Sequence, residues 1–130
     1  MTREEVLELL NPDFFTGVKE IEVAVTIEYN TQTYDDCSFS GRGSLKNFSE
    51  WIDAVRRQSE KAVNLYIGLI TFRLHGRRYS IRPLEFGKKW EYRREGIFGG
   101  ATVITTGTQP KSARSIASYF IKPIFKKRRW

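Results

Sequence analysis

From Glu20 to Tyr29 the chain alternates without a slip: Ile21, Val23, Val25, Ile27 and Tyr29 fall on one parity, and Glu20, Glu22, Ala24, Thr26 and Glu28 on the other. Side chains along a strand point to opposite faces at every second residue, so this stretch reads as a strand with one core face and one acidic, wet face. Whatever else the chain does, it must supply a sheet that is covered on one side and solvated on the other.

The flanking residues extend that sheet. Asn30-Thr31-Gln32 reads as a turn into a second strand, Thr33 to Ser40, giving an antiparallel hairpin. Before it, Thr2 and Glu5 have capping-box spacing, Met1 and Val6 sit where a hydrophobic staple would, and Val6, Leu9 and Leu10 share a face of a short helix that Asn11-Pro12 ends. After the hairpin, Gly41-Arg42-Gly43-Ser44 breaks the strand. Asn47 with Glu50 then repeats the capping-box spacing ahead of a main helix, Phe48 to Val63, whose Phe48, Ile52, Val55 and Ala62 lie on one side with Trp51 beside them.

Leu65 to Leu74 reads as a strand, His75-Gly76 as a turn and Arg78 to Pro83 as the returning strand. Lys89 to Arg94 and Ile97 to Thr106 read as another pair, loosened by Gly87, Gly99 and Gly100. Ser112 to Phe125 reads as a closing helix interrupted by Pro123. The expected fold is therefore α+β: a single domain over residues 1–130, with a largely antiparallel sheet of about six strands packed against one main helix, and short N-terminal and C-terminal helices.

With 130 residues, 40% hydrophobic and 14% aromatic, the chain can bury a core without staples. Its single cysteine, Cys37, excludes an intrachain disulfide framework, and no charged n-region leads into an apolar h-region. A soluble cytoplasmic protein is expected. The most apolar run, Leu65 to Leu74, is far shorter than the roughly 18 residues a spanning helix needs.

Charge is distributed unevenly. Residues 1–60 hold six Lys and Arg against twelve Asp and Glu, a net −6, whereas residues 61–130 hold sixteen against three, a net +13. A surplus of that size favours polyanionic partners, nucleic acid first among them. Between Phe72 and Phe98 the cations Arg73, Arg77, Arg78, Arg82, Lys88, Lys89, Arg93 and Arg94 interleave with Phe72, Tyr79, Phe86, Trp90, Tyr92 and Phe98. Cations that track phosphates beside rings that accept unstacked bases suit single-stranded DNA or RNA, with stacking by Tyr79, Trp90 and Tyr92. The same composition arises when the rings alternate inward as core and the cations merely solvate the outer face.

Residues 111–130 form a basic tail. Lys122, Lys126, Lys127, Arg128 and Arg129 would add affinity for phosphates, and Phe120, Phe125 and Trp130 would dock on a partner. That tail equally suits an acidic protein, a second copy of the chain or, more weakly, an anionic membrane surface.

Catalysis has little to build on. His75 lies in a turn, and Cys37 follows acidic neighbours rather than the electropositive ones that would activate a thiol. Asp35 and Asp36 must point to opposite faces, and no cysteine or histidine spacing matches zinc. Gly41 to Lys46 has neither a phosphate-loop nor a dinucleotide spacing, and two glycines there suit a tight strand-to-helix connection. The expectation is a non-enzyme with no cofactor, no metal and no small-molecule substrate.

At the level of fold, basic aromatic strands with a helix across one face resemble the PUR and Whirly type of single-strand-binding protein. The helix here follows two strands rather than four, and no motif transfers a residue role.

Overall fold

The structure is a computed structural model that describes residues 1–30, 32–42 and 45–127, the side chains of residues 42 and 122–127 excepted. Its elements run α1 (Arg3–Leu9), β1 (Glu20–Glu28), β2 (Tyr34–Arg42), α2 (Leu45–Gln58), β3 (Asn64–Leu74), β4 (Arg77–Leu84), β5 (Lys89–Glu95), β6 (Ala101–Thr106) and α3 (Ala113–Lys127). The six strands form one antiparallel sheet in the order β2-β1-β3-β4-β5-β6, so β2 and β6 are its edges. The α+β class and the six-strand sheet are as expected from the sequence.

The predicted capping box opens α1. The Thr2 hydroxyl accepts from the Glu5 N–H at 3.1 Å while the Glu5 carboxylate accepts from the Thr2 N–H at 3.2 Å. The Thr2 backbone N–H foremost, and the Thr2 side chain next, hold the Glu5 carboxyl below its ordinary range. A 3-10 turn, Pro12–Phe15, then buries Phe14 and Phe15.

The helices share one face of the sheet. Phe48 of α2 meets Phe15 edge-on at 4.8 Å and Phe39 of β2 at 5.5 Å. On α3, Phe120 meets Tyr79 of β4 at 5.6 Å and Tyr119 meets Tyr92 of β5 at 5.2 Å. Ile21, Val23, Val25 and Ile27 of β1 complete the core between them. The other face of the sheet carries no helix among the described residues.

One irregularity keeps the faces consistent. In β3, Leu65 and Ile67 are buried on odd positions, but Ile70, Phe72 and Leu74 are buried on even ones. The register against β1 shifts between Ala24/Leu69 and Val25/Ile67, which leaves Gly68 as an extra residue. This bulge inverts the parity of β3 in mid-strand and returns its apolar residues to the core.

Several boundaries differ from expectation. Helix α2 begins at Leu45, so Asn47 lies within its first turn rather than at the cap, and Ser44 lies outside the described residues. Strand β6 begins at Ala101, because Ile97 to Gly100 form the turn, with Gly99 and Gly100 at positive φ and the Gly96 N–H donating to the Gly100 carbonyl. Helix α3 runs through Pro123 to Lys127, where the sequence predicted an interruption.

Candidate functional site

Strand parity and register decide which of the predicted cations share a surface. On the open face, Arg73 of β3 stands opposite Arg78 of β4, Ser80 of β4 opposite Arg93 of β5, and Arg82 of β4 opposite Glu91 of β5. Lys89 of β5 has the same parity as Glu91 and Arg93 and is exposed. Five of the eight cations expected between Phe72 and Phe98 therefore lie on one face. Arg94 lies on the helix side, its guanidinium 5.2 Å from the Phe120 ring centroid, and Arg77 donates to the Glu95 carbonyl at 3.2 Å. Lys88 is exposed in the turn before β5.

The rings took the opposite parity. Tyr79, Trp90 and Tyr92 are 4%, 0% and 1% exposed, and Phe72 stacks on Tyr79 at 5.4 Å inside the core. The stacking role expected of Tyr79, Trp90 and Tyr92 is corrected accordingly: a ring enclosed by core atoms has no free π face for a base. Burial, with the neighbouring Tyr119 second, pushes the Tyr92 hydroxyl well above its usual range, and that hydroxyl donates to the Thr108 carbonyl at 3.2 Å. Phe120 is likewise a core residue and not a docking one. The side chains of Lys122, Phe125, Lys126 and Lys127, and the whole of Arg128, Arg129 and Trp130, lie outside the described residues.

The exposed rings of the basic stretch are instead Phe86 and Phe98, 88% and 100% exposed, in the turns at the two ends of β5. Phe98 shares its turn with Ile97, itself 73% exposed. Phe86 follows Glu85 with both at positive φ, an unusual conformation for side chains of that size.

Carboxylates from both halves of the chain meet most of the open-face cations. Glu20 lies 3.5 Å from Arg73, Glu22 lies 3.5 Å from Arg78, and Glu95 lies 3.8 Å from Arg78. The tightest pair is bidentate: Arg82 Nε and Nη2 donate to the two oxygens of Glu91 at 3.2 and 3.0 Å, and those bonds push the Arg82 guanidinium above its ordinary value. Lys89 faces Glu85 at 3.7 Å. Arg93 alone of the five has no carboxylate partner among the described residues.

Arg93 borders a shallow depression of about 270 Å³ in the open face, lined also by Leu69, Ser80, Ile81, Arg82 and Glu91. Arg93 and the Ser80 hydroxyl there can meet a tetrahedral anion such as a phosphate, which the Arg82 guanidinium joins only on leaving Glu91. A larger cleft of about 470 Å³ opens on the helix side between the end of α1 and the segment leading into α3. Its charged lining, Glu8 and Asp13 against Lys111, has no preference for anions.

Gly41 lies beneath the Phe39 ring, where a Cβ would come within 2.8 Å of it, so packing accounts for this glycine. His75 is exposed at positive φ in the β3–β4 turn. Burial, then the charges of Asp35 and Asp36, push the Cys37 thiol up. Asp36 accepts from Thr26 at 2.8 Å, Asp35 from Tyr29 at 3.1 Å, and Glu28 from Asn64 at 3.0 Å. No group of three metal-ligating side chains converges among the described residues, and no described helix is long and apolar enough to cross a membrane. Compared with known proteins, the chain matches no family model, no curated protein and no solved structure.

Proposed function

We propose that the chain is a non-catalytic nucleic-acid-binding protein that receives a single strand on the open face of β3, β4 and β5. The observation that carries this reading is Arg93, a cation without a carboxylate partner among the described residues, beside the Arg82–Ser80 depression on a face that no described helix covers. Phosphates contact Arg93 directly and exchange with the carboxylates at Arg73, Arg78, Arg82 and Lys89, while Lys88 contributes from the adjoining turn. Stacking falls to Phe86 and Phe98. The seven residues of β5 separate their turns by roughly 20–25 Å, a span that a short run of nucleotides can bridge.

Fluorescence-anisotropy titration against labelled single-stranded DNA, single-stranded RNA and duplex DNA, at low and physiological salt, tests this. Saturable binding that prefers a single strand and weakens steeply with salt supports it. Negligible binding at low salt would overturn it and redirect attention to an acidic protein partner.

A further inference from the structure

An exposed sheet edge offers unpaired N–H and C=O groups to any strand that can reach them, so proteins commonly guard edges with charges, prolines, bulges or short length. The two edges here are unlike each other. Strand β2 carries the Asp35-Asp36 pair, whereas β6 reads Ala-Thr-Val-Ile-Thr-Thr, with no charge, no proline, no glycine and no bulge. Five of its six residues, all but Ala101, are β-branched, and Val103 is half exposed.

Register sets which β6 groups are free. The Gly96–Gly100 bond at the turn makes that pair a hydrogen-bonded one, and antiparallel pairs alternate. Thr102, Ile104 and Thr106 therefore bond to β5, and the N–H and C=O groups of Ala101, Val103 and Thr105 point away from the sheet. None of them finds a backbone partner on that side among the described residues.

We propose that β6 is a self-association edge: two copies pair their Ala101–Thr106 strands antiparallel about a two-fold axis through Val103, joining their sheets into one. This register places Val103 against Val103 of the second copy, Ala101 against its Thr105 and Thr102 against its Ile104, so the three outward-pointing positions fall into hydrogen-bonded pairs and make about six backbone bonds. Face parity is preserved, since Thr102 and Ile104 share the helix side and Ala101, Val103 and Thr105 the open side. No like charges meet. The nearest facing cations, the two Arg93 side chains, stand on strands three interstrand spacings apart, about 14 Å, beyond the roughly 8 Å screening length at physiological salt. A second copy fits this edge better than a charged peptide, because nothing on β6 answers a charge.

Strand pairing alone buries less than a standard interface, so the dimer is concentration-dependent. Sedimentation velocity without nucleic acid, from about 5 to about 200 µM protein, reads it independently of the proposed function. The expected result is a monomer–dimer equilibrium that is unchanged or strengthened by salt, opposite to the salt response of nucleic-acid binding. Val103→Pro removes an outward N–H while sparing the β5 ladder, and should weaken the dimer at least about tenfold; Val103→Thr should change it by less than about twofold. Far-UV circular dichroism checks that the proline variant is folded. Should it not be, Val103→Lys, which sets two ammonium groups on strands about 5.5 Å apart, replaces it and should weaken the dimer most at low salt. A monomer throughout the range, a Val103→Pro or Val103→Lys protein that dimerises like the parent, or a ladder of higher oligomers from β2-to-β6 pairing would each overturn the proposal.

Discussion

Replacing Glu91 by Gln should make the protein bind a single strand more tightly, although it removes the best-formed ion pair on the open face. Glu91 holds Arg82 through two bonds of 3.2 and 3.0 Å, so the guanidinium must leave a carboxylate to meet a phosphate. Glutamine keeps the shape but not the charge. Each phosphate contacted on a single strand adds about 0.7 to the slope of log affinity against log salt, which at about 0.1 M salt amounts to about 1 kcal/mol, or roughly fivefold. Glu91→Gln should therefore raise affinity about fivefold and steepen the slope by about 0.7, as Arg82 becomes available. Arg93→Ala should do the reverse by a similar amount. The pair is exposed enough that losing it costs no more than about 1 kcal/mol of stability, so both variants remain folded. Anisotropy titrations of the parent and the two variants, over a salt series, give all the slopes. If Arg93→Ala leaves affinity and slope untouched, the depression is not a phosphate site and the functional proposal fails; if Glu91→Gln weakens binding, the idea that Arg82 is held in reserve is wrong.

Three further outcomes follow from burial and exposure. Trp90→Ala should lose about 3–5 kcal/mol in urea unfolding, as expected for truncating a fully enclosed indole. Trp90→Phe should lose less than about 1.5, because it also removes an Nε1 donor that has no partner among the described residues; equal losses would mean that the N–H is bonded. Phe98→Ala should leave the unfolding midpoint within about 0.5 kcal/mol of the parent while weakening single-strand binding by about 1 kcal/mol or more, and a duplex by less; equal loss on both would sink the stacking assignment. Cys37, its thiol pushed up chiefly by burial, holds less thiolate than free cysteine at any pH in the mildly alkaline range. Its iodoacetamide rate should be lower there and recover only as pH rises, and a rate above that of free cysteine would contradict the environment described.

How much of this could be read beforehand varied with the range of the interaction. The β1 alternation, the α1 capping box and the His75-Gly76 turn are local, and each appears where the sequence predicted it. Parity was legible within each strand but its sign was not. The rings Phe72, Tyr79, Trp90 and Tyr92 sit on one parity of their strands and Arg73, Arg78, Arg82, Lys89 and Arg93 on the other, and the sequence alone does not say which parity meets the helices. Packing answered that: Tyr79 and Tyr92 lie against Phe120 and Tyr119 of α3, a contact between residues distant along the chain. The bulge is not legible for a related reason, since Leu65 to Leu74 is apolar enough on both parities to hide an inversion. Its one signal was a glycine in mid-strand. Ile97 and Phe98 have strand propensity, yet the glycines at 96, 99 and 100 permit a turn, and pairing of Glu95 with Ala101 leaves both residues in it. Ion pairing between the acidic and basic halves also depends on register, through Glu20 with Arg73 and Glu22 with Arg78.

The bulge at Gly68 makes the middle of β3 sensitive to length rather than to chemistry. A Cβ added there would rest 3.5 Å from the Ala24 carbonyl oxygen, an ordinary contact, so alanine fits the position. Deleting the residue leaves Leu65, Ile67, Ile70, Phe72 and Leu74 at alternate positions, so a regular strand still faces them inward, but inserting one is another matter. With one position more, pairing that keeps Leu65 and Ile67 inside and absorbs a single extra residue would send Ile70, Phe72 and Leu74 into water and draw Leu69, Thr71 and Arg73 toward the helices. A gained codon here turns half a central strand inside out, whereas a lost codon or a substitution leaves the apolar residues facing the way they did.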